Sequence, residues 1–203
     1  MPKWNQYSTW PVSGEIDIME SRGNRHLVNT STGVNIGVQQ VGSSLHWGPH
    51  PFYNRYPYAH YEKESLKGYN VEFHNYQLEW TSNYIKFSID DVMTGIAVPP
   101  EGGFWELGEL NKTGLDNPYK RASKMAPFDQ EFYIIFNTAV GGQNGYFPDK
   151  KEATNSPRDK PWSNNAGDAT TAFWKGREQW LPTWNIGTDD SHLQIDYVKV
   201  WAI

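Results

Sequence analysis

The chain has 203 residues and no cysteine, and its 23 acidic and 18 basic side chains give a formal net charge of −5. These values exclude disulfides and thiol redox chemistry, and they provide no basic surface for nucleic acid or an anionic membrane. The sequence has no apolar run of about 18 residues that would predict a membrane span. The length predicts a single domain over residues 1–203 with a sizeable core. Its ten tryptophans and twelve tyrosines suit core packing or a carbohydrate-binding cleft.

The first predicted strand, Glu15–Glu20, carries the clearest motif in the chain, EIDIME. Glu15–Ile18 alternate polar and apolar side chains, as is typical of a strand with one buried face. A regular strand would then place Met19 on the wet face and Glu20 in the core, and both are unsuited to those places. One extra residue, a β-bulge, corrects both positions because it resets the alternation. We therefore predict a bulged strand with Glu15, Asp17 and Glu20 on one face and Met19 packed on the other.

The later elements predict an all-β sandwich, because short alternating segments are separated by turns rich in glycine and proline. One segment, 131–140, is apolar almost throughout, which predicts a strand buried on both faces. In chain order, we predict strands at 34–39, 43–47, 71–80, 84–90, 92–98, 131–140 and 193–201, with 71–80 and 84–90 joined as a hairpin. We predict loops at 51–61, 99–127 and 141–165, and one helix at 169–180 capped by Asp168.

Three carboxylates on one face cannot all ionise freely near neutral pH, because like charges raise the pKa of one of them. A protonated carboxylic acid beside an ionised carboxylate is the arrangement that glycosidases use. Retaining enzymes hold the two groups roughly 5–5.5 Å apart, and inverting enzymes roughly 6.5–9.5 Å apart. Two other interpretations stay open, a solvated acidic strand and a calcium or magnesium site, since hard cations bind clustered carboxylates.

Residues 10–24, which read WPVSGEIDIMESRGN, resemble the active-site signature of glycoside hydrolase family sixteen. They are most similar to the branch of invertebrate-type endo-1,3-β-glucanases (laminarinases) and the related β-1,3-glucan recognition proteins. The resemblance implies a jelly-roll, concanavalin A-like sandwich with a concave catalytic face. In that family several strands precede the signature, so we expect the chain to be incomplete at its N-terminus. The similarity continues through Leu45–Pro49, Glu79–Thr81, Phe136–Gly142 and Ile195–Trp201, and so covers essentially the whole chain.

The resemblance also implies residue roles. Glu15 would be the nucleophile, Glu20 the general acid and then the base, and Asp17 the residue that keeps their protonation states apart. Trp10 would be a sugar platform, although a core tryptophan is the alternative, and His46 would bind substrate or orient a carboxylate, although it could be purely structural. The implied substrate-binding residues are Trp4, Trp10, His46, Trp47 and Asn137.

The predicted activity is retaining endo-hydrolysis of internal β-1,3-glucosidic bonds in glucans such as laminarin, by a monomer without metal or cofactor. One alternative is a non-catalytic glucan recognition protein of innate immunity; such proteins commonly lose the acids, which this chain keeps. Another is a family relative that acts on mixed-linkage glucan or a galactan. The sequons at Asn29 and Asn111 favour a secreted, extracellular protein.

Overall fold

The computed structural model describes residues 1–149, 153–154 and 160–202. The chain divides into two compact units, the first made of residues 1–23 and 38–135 and the second of residues 24–37 and 136 onward. Within the predicted loop at 141–165, residues 150–152 and 155–159 lie outside the described residues. Among the helices described, none has the length and apolar character needed to cross a bilayer.

Strands in antiparallel sheets dominate the described residues, and the helices are short. The strands are β1 (Glu15–Glu20), β2 (Val28–Asn29), β3 (Gln40–His46), β4 (His60–Glu64), β5 (Tyr76–Trp80), β6 (Ile85–Ile89), β7 (Val92–Ala97) and β8 (Ala153–Thr154). The α-helices are α1 (Gly103–Leu107), α2 (Ala169–Lys175) and α3 (Arg177–Trp180). Single 3-10 turns occur at Pro51–Tyr53, Tyr56–Ala59, Leu110–Lys112, Leu181–Thr183 and Asp189–Ser191.

Two three-stranded sheets form the first unit, in the orders β1-β3-β4 and β5-β6-β7. The central strand β6 buries alternate side chains, among them Ile85 and Phe87, as β-geometry predicts for a strand with one core face. The other central strand, β3, buries Leu45. These residues from both sheets belong to one hydrophobic cluster, so the sheets pack face to face. The prediction of an all-β sandwich is therefore confirmed.

The predicted hairpin and the strand that follows it are also confirmed, except that the first strand begins at Tyr76 and not at residue 71. Strands β5 and β6 pair from Tyr76 opposite Ile89 to Trp80 opposite Ile85, and β7 pairs with β6. The predicted strand at 34–39 is wrong, because only Asn35 forms an isolated bridge there. Strand β3 begins earlier than predicted, and β4 was missed because its sequence, HYEKE, is too polar to show a buried face.

The segment 99–127, predicted as a loop, is a structural part of the first unit. It contains α1 and contributes Phe104, Leu110 and other buried side chains to the core. Trp47 is fully buried in the same cluster, and its Nε1 donates a hydrogen bond of 2.7 Å to the carbonyl oxygen of Phe104. The predicted role of Trp47 in substrate binding is therefore wrong, because a side chain that solvent cannot reach cannot contact a polysaccharide.

Two predicted strands, at 131–140 and 193–201, are not formed in the structure. Apart from an isolated bridge at Phe132, both segments lack strand pairing among the described residues, and their apolar side chains, such as Ile134 and Val200, are exposed. Apolar periodicity shows which side chains a sheet could bury, but a strand exists only where a neighbour accepts its hydrogen bonds. The expected burial of Asn137 is wrong for the same reason.

The helix predicted at 169–180 is confirmed in the second unit, where Gly176 divides it into α2 and α3. Asp168 stands at the N-cap position, but its side chain makes no capping hydrogen bond, so that detail is wrong. The rings of Phe173 and Trp180 stack with centroids 4.3 Å apart, and this contact links the two short helices.

Replacing Trp47 tests its assignment to the core. Trp47→Ala should lower the free energy of unfolding by about 3–5 kcal/mol, because it leaves a cavity and an unpaired carbonyl group. Trp4→Ala, which truncates a side chain that is 67% exposed, should change it by less than about 0.5 kcal/mol. Urea unfolding followed by circular dichroism measures both. Equal stability of the Trp47 variant and the wild type would contradict the core assignment.

Candidate active site

The predicted bulge is present in β1. Glu15 lies opposite His46 and Asp17 opposite Ser44, but Glu20 lies opposite Gly42, so two residues of β1 face the single residue Ser43. Since opposite residues in an antiparallel pair share a face, Glu15, Asp17 and Glu20 lie on one side of the sheet with His46. The structure therefore brings the three acids together as predicted. Met19 is half-buried, and its packing against the core stays a prediction.

A serine on the central strand stabilises the bulge. The hydroxyl of Ser43 donates a hydrogen bond of 2.8 Å to the carbonyl oxygen of Ile18, inside the bulge. A bulge disrupts the regular ladder and leaves backbone groups that need other partners. Ser43 supplies one of these partners, so it holds the irregular backbone that places Glu20 on the same face as Glu15.

The turn before β1 brings an indole against the first acid. Gly14 has a φ of +83°, and a Cβ atom there would lie 3.0 Å from Cγ of Pro127, so glycine suits this position. Trp10 precedes this turn, and its Nε1 donates a hydrogen bond of 2.7 Å to Oε2 of Glu15. The Trp10 ring remains 41% exposed, so one indole both binds the carboxylate and offers an open aromatic surface.

The second acid faces a histidine. Nε2 of His46 lies 3.1 Å from Oδ2 of Asp17, and both side chains are 18% exposed. The contact is poorly aligned as a hydrogen bond, so Oδ2 of Asp17 can still accept a hydrogen bond from another donor. The His46 ring stacks on Tyr56 with centroids 5.2 Å apart, and the Trp10 ring lies 5.9 Å from it. The imidazole is thus held between two aromatic rings and a carboxylate.

Burial and mutual repulsion shift the ionisation of the acids. Burial and then the charge of Asp17 raise the pKa of Glu15, against the hydrogen bond from Trp10. Burial of the carboxyl group, followed by the charge of Asp17, also raises the pKa of Glu20. Burial lowers the pKa of His46, but the close contact with the charged carboxylate of Asp17 outweighs burial, so the net pKa is raised. The two glutamic acids therefore hold protons at higher pH than free glutamic acid does.

The same cluster contains residue types that can bind a metal ion. One possible ligand atom from each of Glu15, Asp17 and His46 lies within 4.8 Å of the others. A metal would need a free nitrogen lone pair on the imidazole, but Nδ1 contacts the side-chain amide of Asn54 at 2.8 Å and Nε2 faces Asp17. The residues present therefore fit an acid–base site better than a cation site.

Of the other predicted binding residues, Trp4 is exposed in the first unit beside Lys3, whose Nζ lies 5.8 Å from the ring centroid. Asn137 belongs to the second unit and is exposed, and its predicted role stays a prediction. The sequence reasoning missed Asn54 and Tyr56, which contact His46. Both residues lie in the segment 51–61 that the sequence predicts as a loop, and no periodic signal marks either one.

Comparison with known families identifies the chain's relatives. Residues 4–97 match the family described as Glycosyl hydrolases family 16. The β-1,3-glucan-binding protein of Penaeus monodon is 41% identical over 208 residues, an alignment that covers all of this chain and 53% of that protein. Residues 4–97 belong to glycosyl hydrolase family 16. This membership confirms the resemblance shown by the signature around Glu15.

Two further relatives align with most or all of this chain. Gram-negative bacteria-binding protein 1 of Drosophila melanogaster is 37% identical over 141 residues, covering 69% of this chain and 25% of that protein. The β-1,3-glucan-binding protein of Tenebrio molitor is 32% identical over 203 residues, covering all of this chain and 38% of that protein. The chain thus spans about half or less of the length of these relatives.

Among solved structures, the laminarinase from Rhodothermus marinus is similar to this chain at a TM-score of 0.40 and 21% sequence identity. The alignment covers 64% of this chain and 41% of the laminarinase chain.

Removing the Trp10 hydrogen bond should raise the pKa of Glu15 further, because an N–H donor stabilises the charged carboxylate. Trp10→Phe keeps an aromatic ring and deletes only the donor, and Trp4→Phe is the matched control at an exposed tryptophan. Carboxyl 13C NMR titration of Glu15 measures the shift. An unchanged or lower pKa in Trp10→Phe would show that the indole does not stabilise the ionised acid.

Proposed function

We propose that this chain binds β-1,3-glucan on the face that carries Glu15, Asp17, Glu20, Trp10 and His46. The names of its relatives support the ligand, because several of them are called β-1,3-glucan-binding proteins. The observation that carries the proposal is the exposed indole of Trp10 joined to the Glu15 carboxylate. A flat aromatic ring packs on the apolar face of a sugar, and carboxylates accept hydrogen bonds from its hydroxyl groups.

The same face supports a second candidate function, retaining hydrolysis of the bound glucan. The specific observation in its favour is that Glu15 and Glu20 lie on one face with the pKa of both raised. A site that only bound a neutral polysaccharide would not need three neighbouring acids, whose mutual repulsion has to be offset. Glycosidases need this arrangement, because one acid must keep a proton while its neighbour is ionised.

Each acid has a distinct place in the proposed reaction. Glu15 accepts the hydrogen bond of Trp10, which favours its ionised form, so we assign it as the nucleophile that forms the glycosyl-enzyme. Glu20, whose pKa is raised by burial and by its acidic neighbours, donates its proton to the leaving oxygen and then takes one from water. Asp17 lies between them and repels a second negative charge, which keeps Glu20 protonated.

The location and the oligomeric state of the protein are also part of this proposal. We propose a secreted monomer that meets glucan outside the cell, and the sequons at Asn29 and Asn111 support that location. Glucan capture in immunity and glucan digestion would use the same face. The two functions differ in whether glycosidic bonds are broken. Activity assays on laminarin, mixed-linkage glucan and galactan distinguish the possible substrates.

The two candidate functions are separated by Glu15→Gln, which keeps the side-chain shape but cannot form a covalent intermediate. On laminarin, the wild type should release reducing ends faster than on lichenan or agarose, and Glu15→Gln should fall to the background rate. Laminarin affinity of the variant, measured by calorimetry, should stay within about tenfold of wild type. Glu64→Gln, an exposed acid at the far end of β4, is the control. Binding without release of reducing ends by wild type would leave glucan binding as the function.

The role of Glu20 is tested with a leaving group that needs no proton. Glu20→Ala should lower the rate on laminarin by about 10²–10⁴-fold, the usual contribution of a general acid. It should keep the first step on an aryl β-glucoside, and added azide should then restore turnover by attacking the glycosyl-enzyme. If azide instead rescued Glu15→Ala with retained configuration and Glu20→Ala with inverted configuration, the roles of the two acids would be exchanged.

A further inference from the structure

Asn54 makes two hydrogen bonds whose directions depend on each other. Its Oδ1 accepts a hydrogen bond of 3.2 Å from the backbone N–H of Tyr56. Its Nδ2 contacts Nδ1 of His46 at 2.8 Å. A backbone N–H can only donate, so the side-chain oxygen must face Tyr56 and the NH₂ group must face the imidazole.

This orientation decides where the proton of His46 lies. An NH₂ group carries no acceptor, so the ring nitrogen that faces it must supply a lone pair. Nδ1 of His46 is then unprotonated, and the proton of the neutral ring is on Nε2. Nε2 lies 3.1 Å from Oδ2 of Asp17, so the protonated nitrogen is the one beside the carboxylate.

The backbone holds Asn54 in this place. After β3 the chain reverses so tightly that the N–H of Arg55 donates a hydrogen bond of 2.8 Å to the carbonyl oxygen of Trp47. Gly48 permits the reversal, because its φ is +134° and a Cβ atom there would lie 2.1 Å from the carbonyl oxygen of Tyr53. Asn54 is half-buried, and the position of its amide therefore follows from the loop.

We propose that Asn54 is a positioning residue that holds His46 in the tautomer with its proton on Nε2, facing Asp17. The groups around the imidazole are the carboxylates of Asp17, Glu15 and Glu20 and the rings of Trp10 and Tyr56. The three acids favour a positively charged ring, whereas the Asn54 amide opposes it, because a second proton would have to sit on Nδ1 against the NH₂ group.

The consequence for hydrolysis rests on the proposed function. A positive charge on His46 lowers the pKa of both Glu15 and Glu20. A general acid must keep its proton until the bond breaks, so a neutral His46 favours the role of Glu20. By opposing the charged form, Asn54 helps Glu20 to remain protonated without touching it or the substrate.

The substitution Asn54→Asp tests the proposal with almost no change of shape. One carboxylate oxygen still accepts from the N–H of Tyr56, while the other faces His46 and accepts a proton where the amide donated one. Asn117→Asp is the matched control, because Oδ1 of Asn117 accepts from the N–H of Tyr119 in the same two-residue arrangement, at 2.8 Å.

The readout is 15N NMR of the His46 ring, which does not require activity. In the wild type above its titration midpoint, Nε2 should give the signal of a protonated nitrogen and Nδ1 that of an unprotonated one. In Asn54→Asp the titration midpoint should move upward, and in Asn117→Asp it should stay in place. A wild-type ring protonated on Nδ1, or an unchanged midpoint in Asn54→Asp, would overturn the proposal. The wild-type spectrum shows which nitrogen of His46 carries the proton even if the variant does not fold.

Measurements of hydrolytic activity provide a separate test of the link from Asn54 to Glu20. If the wild type hydrolyses laminarin, Asn54→Asp should lower kcat by about tenfold, the factor that one ordinary hydrogen bond represents, and Asn117→Asp should not. An unchanged kcat beside the expected spectra would overturn the link from His46 to Glu20. If the wild type does not hydrolyse laminarin, the hydrolytic function fails and the ring spectra still decide the role of Asn54.

Discussion

The antiparallel pairing of β1 with β3, including its one extra residue, is the constraint on which the candidate site depends. Alternation along a regular strand would separate Glu20 from Glu15 and Asp17, since each step reverses the face of the side chain. The register passes from Asp17 opposite Ser44 to Glu20 opposite Gly42, and this single irregularity returns Glu20 to the shared face. The repulsion that Glu20 experiences from Asp17 and Glu15 follows from that placement.

A site with three neighbouring acids is held by groups that point hydrogen-bond donors at them. Trp10 donates to Glu15, and His46 lies against Asp17. Neither donor comes from β1 itself: Trp10 lies in the preceding turn and His46 at the end of the neighbouring strand. Because the loop after β3 also fixes Asn54, the ionisation of the acids depends on backbone geometry outside β1. Such repulsion between neighbouring acids is typical of functional sites, where stability is given up for chemistry.

The sequence predicted the parts of the structure that depend on local alternation. The acids in β1, the bulge and the hairpin around Trp80 and Ile85 were foreseen, because period-two patterns report directly on faces. Segments 131–140 and 193–201 carry equally strong apolar patterns but form no strands, since pairing depends on neighbours that a local pattern does not show. Trp47 was misassigned because it lies in a stretch, Leu45–Pro49, that resembles a substrate-binding part of the family. Its burial depends on Phe104, which is distant in sequence. Asn54 escaped notice because its role depends on a tight reversal at Gly48.

The central claim is that the bulge gathers Glu15, Asp17 and Glu20 around one glycosidic bond beside Trp10. A crystal structure of Glu15→Gln with a bound β-1,3-linked gluco-oligosaccharide tests it most directly. The account predicts a sugar ring packed on the Trp10 indole, with residue 15 below its anomeric carbon and the carboxyl group of Glu20 within hydrogen-bond distance of the glycosidic oxygen. An oligosaccharide bound away from Trp10, or Glu20 turned to the opposite face of β1, would contradict it.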